Sequence, residues 1–172
     1  ILPTPLAGFE ADALLCANDS LLVTDTSSIA GGSISNWQWF WTNSGQLNTG
    51  NAQPFHIAFN STGNQTVKLV VTSLAGCVSD TAFKSIEVLP VPQAQFQASL
   101  LGCAGNQVQL TNQSIPNGAT IQSWNWDFGN SVQDVRTNGN TFTYAYPLAG
   151  NYNINLTVGS TGGCSGTPFT QP

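Results

Sequence analysis

The sequence predicts an all-β fold of two tandem antiparallel β-sandwiches, with about seven strands in each. Apolar residues alternate with polar ones along many short segments, as in Phe55, Ile57 and Phe59, and this period of two is that of a half-buried strand. The segments recur about every ten residues between turns rich in Gly, Asn and Ser, a spacing typical of sandwiches. The whole pattern then occurs twice along the chain.

Four cysteines mark the internal repeat. The residue numbers of Cys16 and Cys103 differ by 87, and so do those of Cys77 and Cys164. The same offset, without a gap, aligns further identical residues: Pro3 with Pro90, Phe9 with Phe96, Trp37 with Trp124, Trp39 with Trp126, and Gly76 with Gly163. A single register held over the whole chain indicates a tandem duplication.

The boundary between the repeats lies at a proline-rich segment. Residues 88–92 (Val-Leu-Pro-Val-Pro) repeat residues 1–5 (Ile-Leu-Pro-Thr-Pro), and alternate prolines favour a stiff, extended linker. The first repeat is therefore predicted at 1–88 and the second at 89–172, with a short last strand in the second. Because the chain opens on linker sequence and lacks Met, we expect a segment of a longer secreted protein.

The charge balance excludes several partners. The chain has only three basic residues, Lys68, Lys84 and Arg136, and eight acidic ones, which gives a formal net charge of -5. That is too few positive charges for a nucleic-acid surface or for binding to an anionic membrane. No apolar run approaches the roughly 18 residues of a membrane-spanning helix, so membrane insertion is not expected.

No catalytic constellation is evident, and we predict that the chain is not an enzyme. His56, the single histidine, alternates with inward apolar residues and so lies outside the cleft that a Ser-His-Asp triad needs. The cysteine spacings do not match those of zinc sites. No cofactor is expected. Calcium is the alternative, since Asp25, Asp127 and Asp134 offer oxygen ligands.

The second repeat contains a recognisable motif. Residues 124–130 (Trp-Asn-Trp-Asp-Phe-Gly-Asn) resemble the W-x-W-D-F-G-D signature of the polycystic kidney disease (PKD) domain, which includes Asp127, Phe128 and Gly129. Residues 144–152 resemble the family's H-x-Y…G-x-Y-x-V segment, in which Tyr152 is the last tyrosine, and residues 163–165 resemble the "GC" turn of versions found in secreted proteins of Bacteroidota. The resemblance implies an Ig-like sandwich used as spacer, adhesin stalk or accessory module.

The first repeat resembles the family less closely. Residues 40–42 (Phe-Trp-Thr) replace the Asp-Phe-Gly of 127–129, and Gln65 replaces Tyr152. We expect the fold to survive these changes because the inward positions stay apolar. No role of the family's aspartate carries over to this repeat.

The tryptophans are predicted to fill the two cores. Trp37, Trp39 and Trp41 share one face of a strand, as do Trp124 and Trp126, and the equivalent strand of such sandwiches buries its tryptophan. The alternative is a glycan platform.

One apolar pair is predicted on the outer face of the first repeat. Phe40 points away from the tryptophans, beside outward Val70, whereas its counterpart Asp127 is polar. Phe40 and Val70 therefore form a candidate lateral contact patch, unless a loop covers them.

The surface composition indicates a secreted glycoprotein. Charged residues make up only 6% of the chain, against about 25% in typical domains, so attached sugars would add solubility. Two segments, Asp19-Ser20-Leu21 and Asp80-Thr81-Ala82, resemble the D-S/T-apolar O-glycosylation motif of Bacteroidota. Ser20 and Thr81 are thus candidate glycosylation sites.

Four cysteines in a secreted chain predict disulfides. The simplest pairing lies within repeats, Cys16 with Cys77 and Cys103 with Cys164. The Ig-like topology instead places Cys16 and Cys77 at opposite ends of a strand roughly 30 Å long, whereas a disulfide needs Cα atoms within about 7 Å. The Ig-like topology therefore favours a Cys16–Cys164 bond across the linker, and Cys77 and Cys103 would then face neighbouring repeats. Both pairings stay open at this stage.

The predicted function is that of a non-catalytic module, extracellular or at the cell surface, which serves as a stiff spacer in an adhesin or fibre. Its expected partners are neighbouring repeats of the same protein or other copies of it, with a cell-surface or glycan ligand as a further candidate. The alternative is an accessory polysaccharide-binding module of a secreted hydrolase.

Overall fold

The computed structural model describes residues 2–42, 45–49, 51–99 and 107–172. The chain divides into two units, Ile1–Leu89 and Pro90–Pro172, called repeat 1 and repeat 2 from here on. The described part of each is all-β with its own hydrophobic core, and it includes no helix long and apolar enough to cross a membrane. The predicted fold class, two tandem β-sandwiches, is confirmed.

Repeat 1 has eight strands in its described residues, one more than expected. They are β1 (Phe9–Glu10), β2 (Leu14–Cys16), β3 (Ser20–Asp25), β4 (Ile34–Trp41), β5 (Gly45–Thr49), β6 (Phe55–Ala58), β7 (Gly63–Ser73) and β8 (Ala82–Leu89). One sheet has the order β1-β3-β6 and the other β2-β8-β7-β4-β5. The additional strand is β2, which runs parallel to the end of β8.

The described residues of repeat 2 form seven strands. They are β9 (Phe96–Ala98), β10 (Gln107–Asn112), β11 (Ile121–Asp127), β12 (Gln133–Arg136), β13 (Phe142–Ala145), β14 (Ile154–Ser160) and β15 (Phe169–Gln171). The sheet orders are β13-β10-β9 and β12-β11-β14-β15. The last strand is short, as predicted: β15 has 3 residues and its counterpart β8 has 8.

The two repeats share their strand register. Trp39 of β4 pairs with Leu69 of β7, and Trp126 of β11 pairs with Leu156 of β14, so that the pairs are related by the sequence offset. Both central strands also carry a register irregularity near their first residue. The repeat in the sequence is therefore a repeat in the structure.

Each core is built around a tryptophan of the central strand. Trp39 is 2% exposed and Trp126 is 3% exposed. Trp39 meets two phenylalanine rings edge-on at 5.2 and 5.1 Å, and Trp126 meets two at 5.0 and 5.2 Å, the arrangement that aromatic quadrupoles favour. Trp37 is also buried, whereas Trp41 is half-buried.

The expectation of burial was wrong for Trp124, which is only half-buried. Across the sheet it lies opposite Arg136 of β12. The Arg136 guanidinium covers the Phe142 ring at 3.5 Å, and the Trp124 indole packs against the same core while part of it stays exposed.

Replacing Trp126 by Ala should lower the free energy of unfolding of repeat 2 by about 3–5 kcal/mol, because the surrounding β-sandwich collapses only partly into the cavity. Trp124→Ala, a matched change on the same strand, should cost less because that indole is half-exposed. Chemical denaturation measures both. If Trp126→Ala kept its unfolding midpoint but lost binding to a glycan, the tryptophan would be a glycan platform and not part of the core.

Candidate functional site

The Asp-Phe-Gly motif of repeat 2 forms the turn after β11. Asp127 Oδ1 accepts a hydrogen bond from the backbone N–H of Gly129 at 2.9 Å. Phe128 is 1% exposed, and the Tyr144 ring stacks on it at 3.8 Å. Gly129 has a φ of 72°, and a Cβ there would lie 2.5 Å from the carbonyl oxygen of Asn153. Each motif residue is thus accounted for by the turn and the core.

Repeat 1 has different contacts at the end of β4, where repeat 2 has the motif. Thr42, at the position of Gly129, donates its backbone N–H to the carbonyl of Thr66 at 3.1 Å. Its hydroxyl accepts the N–H of Thr66 at 2.7 Å. Trp41 covers Gly45, where a Cβ would overlap the indole ring. These contacts explain how the repeat folds without the motif.

The position of Tyr152 is polar and buried in repeat 1. Tyr152 stacks on Tyr146 at 4.1 Å and donates its hydroxyl to the carbonyl of Leu148 at 3.1 Å. Its counterpart Gln65 is 3% exposed, and its amide donates to the carbonyl of Ser61 at 3.2 Å. The expectation that inward positions of repeat 1 stay apolar was therefore wrong here, because the amide binds the turn that precedes β7.

Tyr146 ties β13 to the motif turn. Its hydroxyl donates to the carbonyl of Phe128 at 2.8 Å in a buried environment. Burial raises the pKa of Tyr146 to about 12, with a smaller contribution from the nearby Tyr144, Tyr152 and Asp127.

The three aspartates considered for calcium do not converge. Asp25 accepts a hydrogen bond from the Ser27 hydroxyl at 2.6 Å, and Asp134 forms an ion pair with Arg136 at 2.8 Å. Asp127 is engaged in its own turn. The described residues contain no group of three or more His, Cys, Asp and Glu side chains that could hold a metal ion.

The cysteines are in two states. Cys16 and Cys164 are each disulfide-bonded, whereas Cys77 is a free thiol. Cys103 lies outside the described residues. The Cys16–Cys77 bond of the within-repeat pairing is therefore absent.

The geometry of repeat 1 explains that absence. Cys16 of β2 lies opposite Leu89, the last residue of the repeat, near the end of the sheet where β7 begins, since Gly63 pairs with Val88. The backbone N–H of Cys77 binds the hydroxyl of Ser73 at 3.0 Å, at the other end of β7. The 11 residues of β7 span roughly 33 Å, far more than a disulfide can bridge.

Cys164 lies beside the linker segment within repeat 2. Its carbonyl accepts the N–H of Ser160 at 2.8 Å, which closes the hairpin after β14, and the residue is fully buried. Two residues further on, Gly166 packs so closely on Pro92 that a Cβ would overlap the Pro92 carbonyl oxygen.

The outer face of the larger sheet of repeat 1 carries a row of residues from neighbouring strands. Phe40 of β4 pairs with Lys68 of β7, and Lys68 pairs with Phe83 of β8. Phe83 is 71% exposed and Phe40 is half-buried. Val70, which was expected beside Phe40, pairs instead with Gln38, two residues before Phe40 on β4. Lys68 and Phe83 were not predicted at this site, because alternation gives their outward direction but only the strand register aligns them with Phe40.

The two candidate glycosylation sites lie on the surface. Ser20 begins β3 and Thr81 precedes β8, and both are exposed. Their glycosylation stays a prediction.

The second sandwich belongs to a known class of extracellular β-sandwich module. Residues 90–171 match the family model described as PKD domain. Repeat 2 is therefore a PKD domain, and repeat 1 is a second Ig-like sandwich N-terminal to it. PKD modules and disulfides are typical of extracellular proteins, and only non-catalytic modules were detected.

The solved structures that resemble the chain are tandem or single β-sandwich modules. The fibronectin(III)-like modules of Clostridium thermocellum CbhA are 12% identical, with a TM-score of 0.47, over 96% of this chain and 91% of that one. The PKD1 domain of the Vibrio cholerae metalloprotease PrtV is 26% identical, with a TM-score of 0.42, over 49% and 96%. A two-domain fibronectin type III segment of chicken tenascin is 12% identical, with a TM-score of 0.39, over 98% and 97%. A search of the curated proteins found no significant match.

Replacing Gly129 by Ala should destabilise repeat 2 more than replacing Gly163 by Ala. Both glycines have positive φ, which costs an L-residue about 1–2 kcal/mol. A Cβ at Gly163 meets nothing within 4 Å, whereas at Gly129 it meets the Asn153 backbone. Urea unfolding compares the variants, and equal losses would mean that the turn relaxes freely.

Repeat 2 should lose stability in alkali because of Tyr146. Its pKa rises from 10.0 to about 12 on folding, so the unfolded chain releases the proton first. The stabilising contribution is complete below pH 10 and is lost as the pH rises towards 12. Tyr146→Phe should cost about 1 kcal/mol at neutral pH and make the alkaline decline shallower. Tyr152→Phe is the control that should retain the steeper decline; equal slopes in the two variants would contradict this assignment.

Proposed function

We propose that the chain is a spacer within an extracellular or cell-surface adhesin or fibre. The observation that carries the proposal is that the motif residues have structural roles, in a turn and in a core. Asp127, Phe128, Gly129 and the tyrosines form the turn and core of repeat 2, and Trp39 does the same in repeat 1. Two separate, well-packed cores joined by a proline-rich linker suit a chain that maintains distance.

We propose further that a Cys16–Cys164 disulfide clamps the linker. Cys16 lies beside Leu89, the last residue of repeat 1, and Cys164 belongs to the hairpin that packs near Pro92 at the start of repeat 2. Both are disulfide-bonded and Cys77 is not. A bond at this place would carry tension past both domains, because pulling on the chain ends would load the disulfide and not the strands between the cysteines.

Force spectroscopy tests the spacer and its clamp together. The oxidised chain, pulled from its ends, should show no unfolding steps from the residues between Cys16 and Cys164. Reduction, or Cys16→Ser, should release roughly 500 Å of chain at 3.3–3.6 Å per residue. Cys77→Ser is the matched control and should behave as the unaltered chain does.

Non-reducing peptide mapping identifies the disulfide partner of Cys16 directly. A linked peptide pair containing Cys16 and Cys164 supports the clamp. A pair containing Cys16 and Cys103, or full extension of the oxidised chain under force, overturns it.

A second candidate function is an accessory polysaccharide-binding module of a secreted hydrolase. The observation that favours it is the Phe40–Lys68–Phe83 row on the outer face of repeat 1, in which Lys68 and Phe83 are exposed and Phe40 is half-buried.

A further inference from the structure

The exposed row of repeat 1 combines two rings with one cation. It consists of Phe40, Lys68 and Phe83, opposite one another on β4, β7 and β8, and is called the aromatic row below. Because neighbouring strands lie about 4.8 Å apart, the two phenylalanines stand roughly 10 Å apart on the sheet with the ammonium stem between them. The row thus presents apolar ring surface on both sides of a positive charge.

The Lys68 ammonium is uncompensated. The other two cations have partners: Lys84 lies over the Phe9 ring at 5.8 Å, and Arg136 pairs with Asp134. Within the described residues no carboxylate pairs with Lys68. The net charge of -5 leaves too few cations to neutralise a row of phosphates, but Lys68 is a local positive site that suits a single carboxylate.

The surface beside Lys68 is concave. Phe40, Trp41, Thr42, Thr66 and Lys68 line a depression. The Thr42 hydroxyl is already engaged by the backbone of Thr66, whereas an ammonium group offers three hydrogen-bond donors. A ligand in this depression would therefore meet one cationic donor group and the Phe40 ring.

Repeat 2 has the opposite chemistry at the equivalent positions. Asp127, Asn155 and Thr170 replace Phe40, Lys68 and Phe83. The Thr170 hydroxyl donates to Asn155 Oδ1 at 2.6 Å, and Asp127 is held in its turn. The sheet itself needs neither the rings nor the cation at these positions, which indicates that the aromatic row serves a partner.

We propose that the aromatic row binds an acidic polysaccharide. Uronate carboxylates would pair with Lys68, and the apolar faces of the sugar rings would pack on Phe40 and Phe83. A neutral glycan leaves the cation unpaired, and a peptide made of acidic residues alone lacks flat apolar ring faces for the two phenylalanines. The inference rests on the second candidate function and is independent of the spacer role.

Calorimetric titration of the whole oxidised chain with polygalacturonate tests the proposal. Binding should weaken with added salt, since the pair lies at the surface, and should weaken about tenfold or more in Lys68→Gln. Lys84→Gln is the matched control, because it removes the same charge from the other face of the sheet. Phe83→Ala should also weaken binding; with Phe83 71% exposed, that variant should retain its unfolding midpoint.

Two further ligands separate the alternatives. Fully methyl-esterified polygalacturonate should bind at least about tenfold more weakly, because it lacks the carboxylates that pair with a cation. Polyglutamate bound as tightly as polygalacturonate would assign the row to an acidic protein partner and overturn the proposal. Absence of polygalacturonate binding, or equal binding by Lys68→Gln and Lys84→Gln, would overturn it as well. The force and mapping results are unaffected by any of these outcomes.

Discussion

Trp39 and Trp126 each lie between two phenylalanine rings, and this packing sets the direction of the side chains that follow the register irregularity of the central strand. Because side chains alternate along a strand, an inward tryptophan forces the next residue outward and the one after it inward. Phe40 and Asp127 are therefore surface residues, and Trp41 and Phe128 point to the core side. The turn chemistry and the outer face both follow from that single orientation.

The two repeats show how one packing constraint accepts different local chemistry. In repeat 2 the turn after the central strand depends on a carboxylate cap and a glycine that leaves room for Asn153. In repeat 1 Thr42 binds the backbone of Thr66 and no glycine is needed at that position. Because the contacts of Thr42 do not use a carboxylate at position 40, the outward position can hold Phe40. The absence of the motif from repeat 1 and the presence of the aromatic row are thus compatible.

The two disulfide-bonded cysteines and the aromatic row lie in different places. Cys16 and Cys164 lie next to the linker residues of their own repeats, whereas the aromatic row lies on the outer face of the sheet. The proposed disulfide concerns how the chain would carry load, and the proposed ligand of the aromatic row concerns what the chain would bind. The proposed roles therefore use different residues and do not compete.

The sequence by itself determined the all-β class, the duplication and the burial of Trp39 and Trp126, because period-two alternation and a constant offset are local, one-dimensional properties. The missed strand β2 shows the limit, since a three-residue parallel strand exists only by pairing with β8. Trp124 shows another: alternation predicts its inward direction, but how much of the indole is covered depends on the packing of the folded repeat. The aromatic row was likewise decided by tertiary structure alone. Alternation places Phe40, Lys68 and Phe83 on outward faces, but only the register of β4 against β7 and of β7 against β8 brings them into one line.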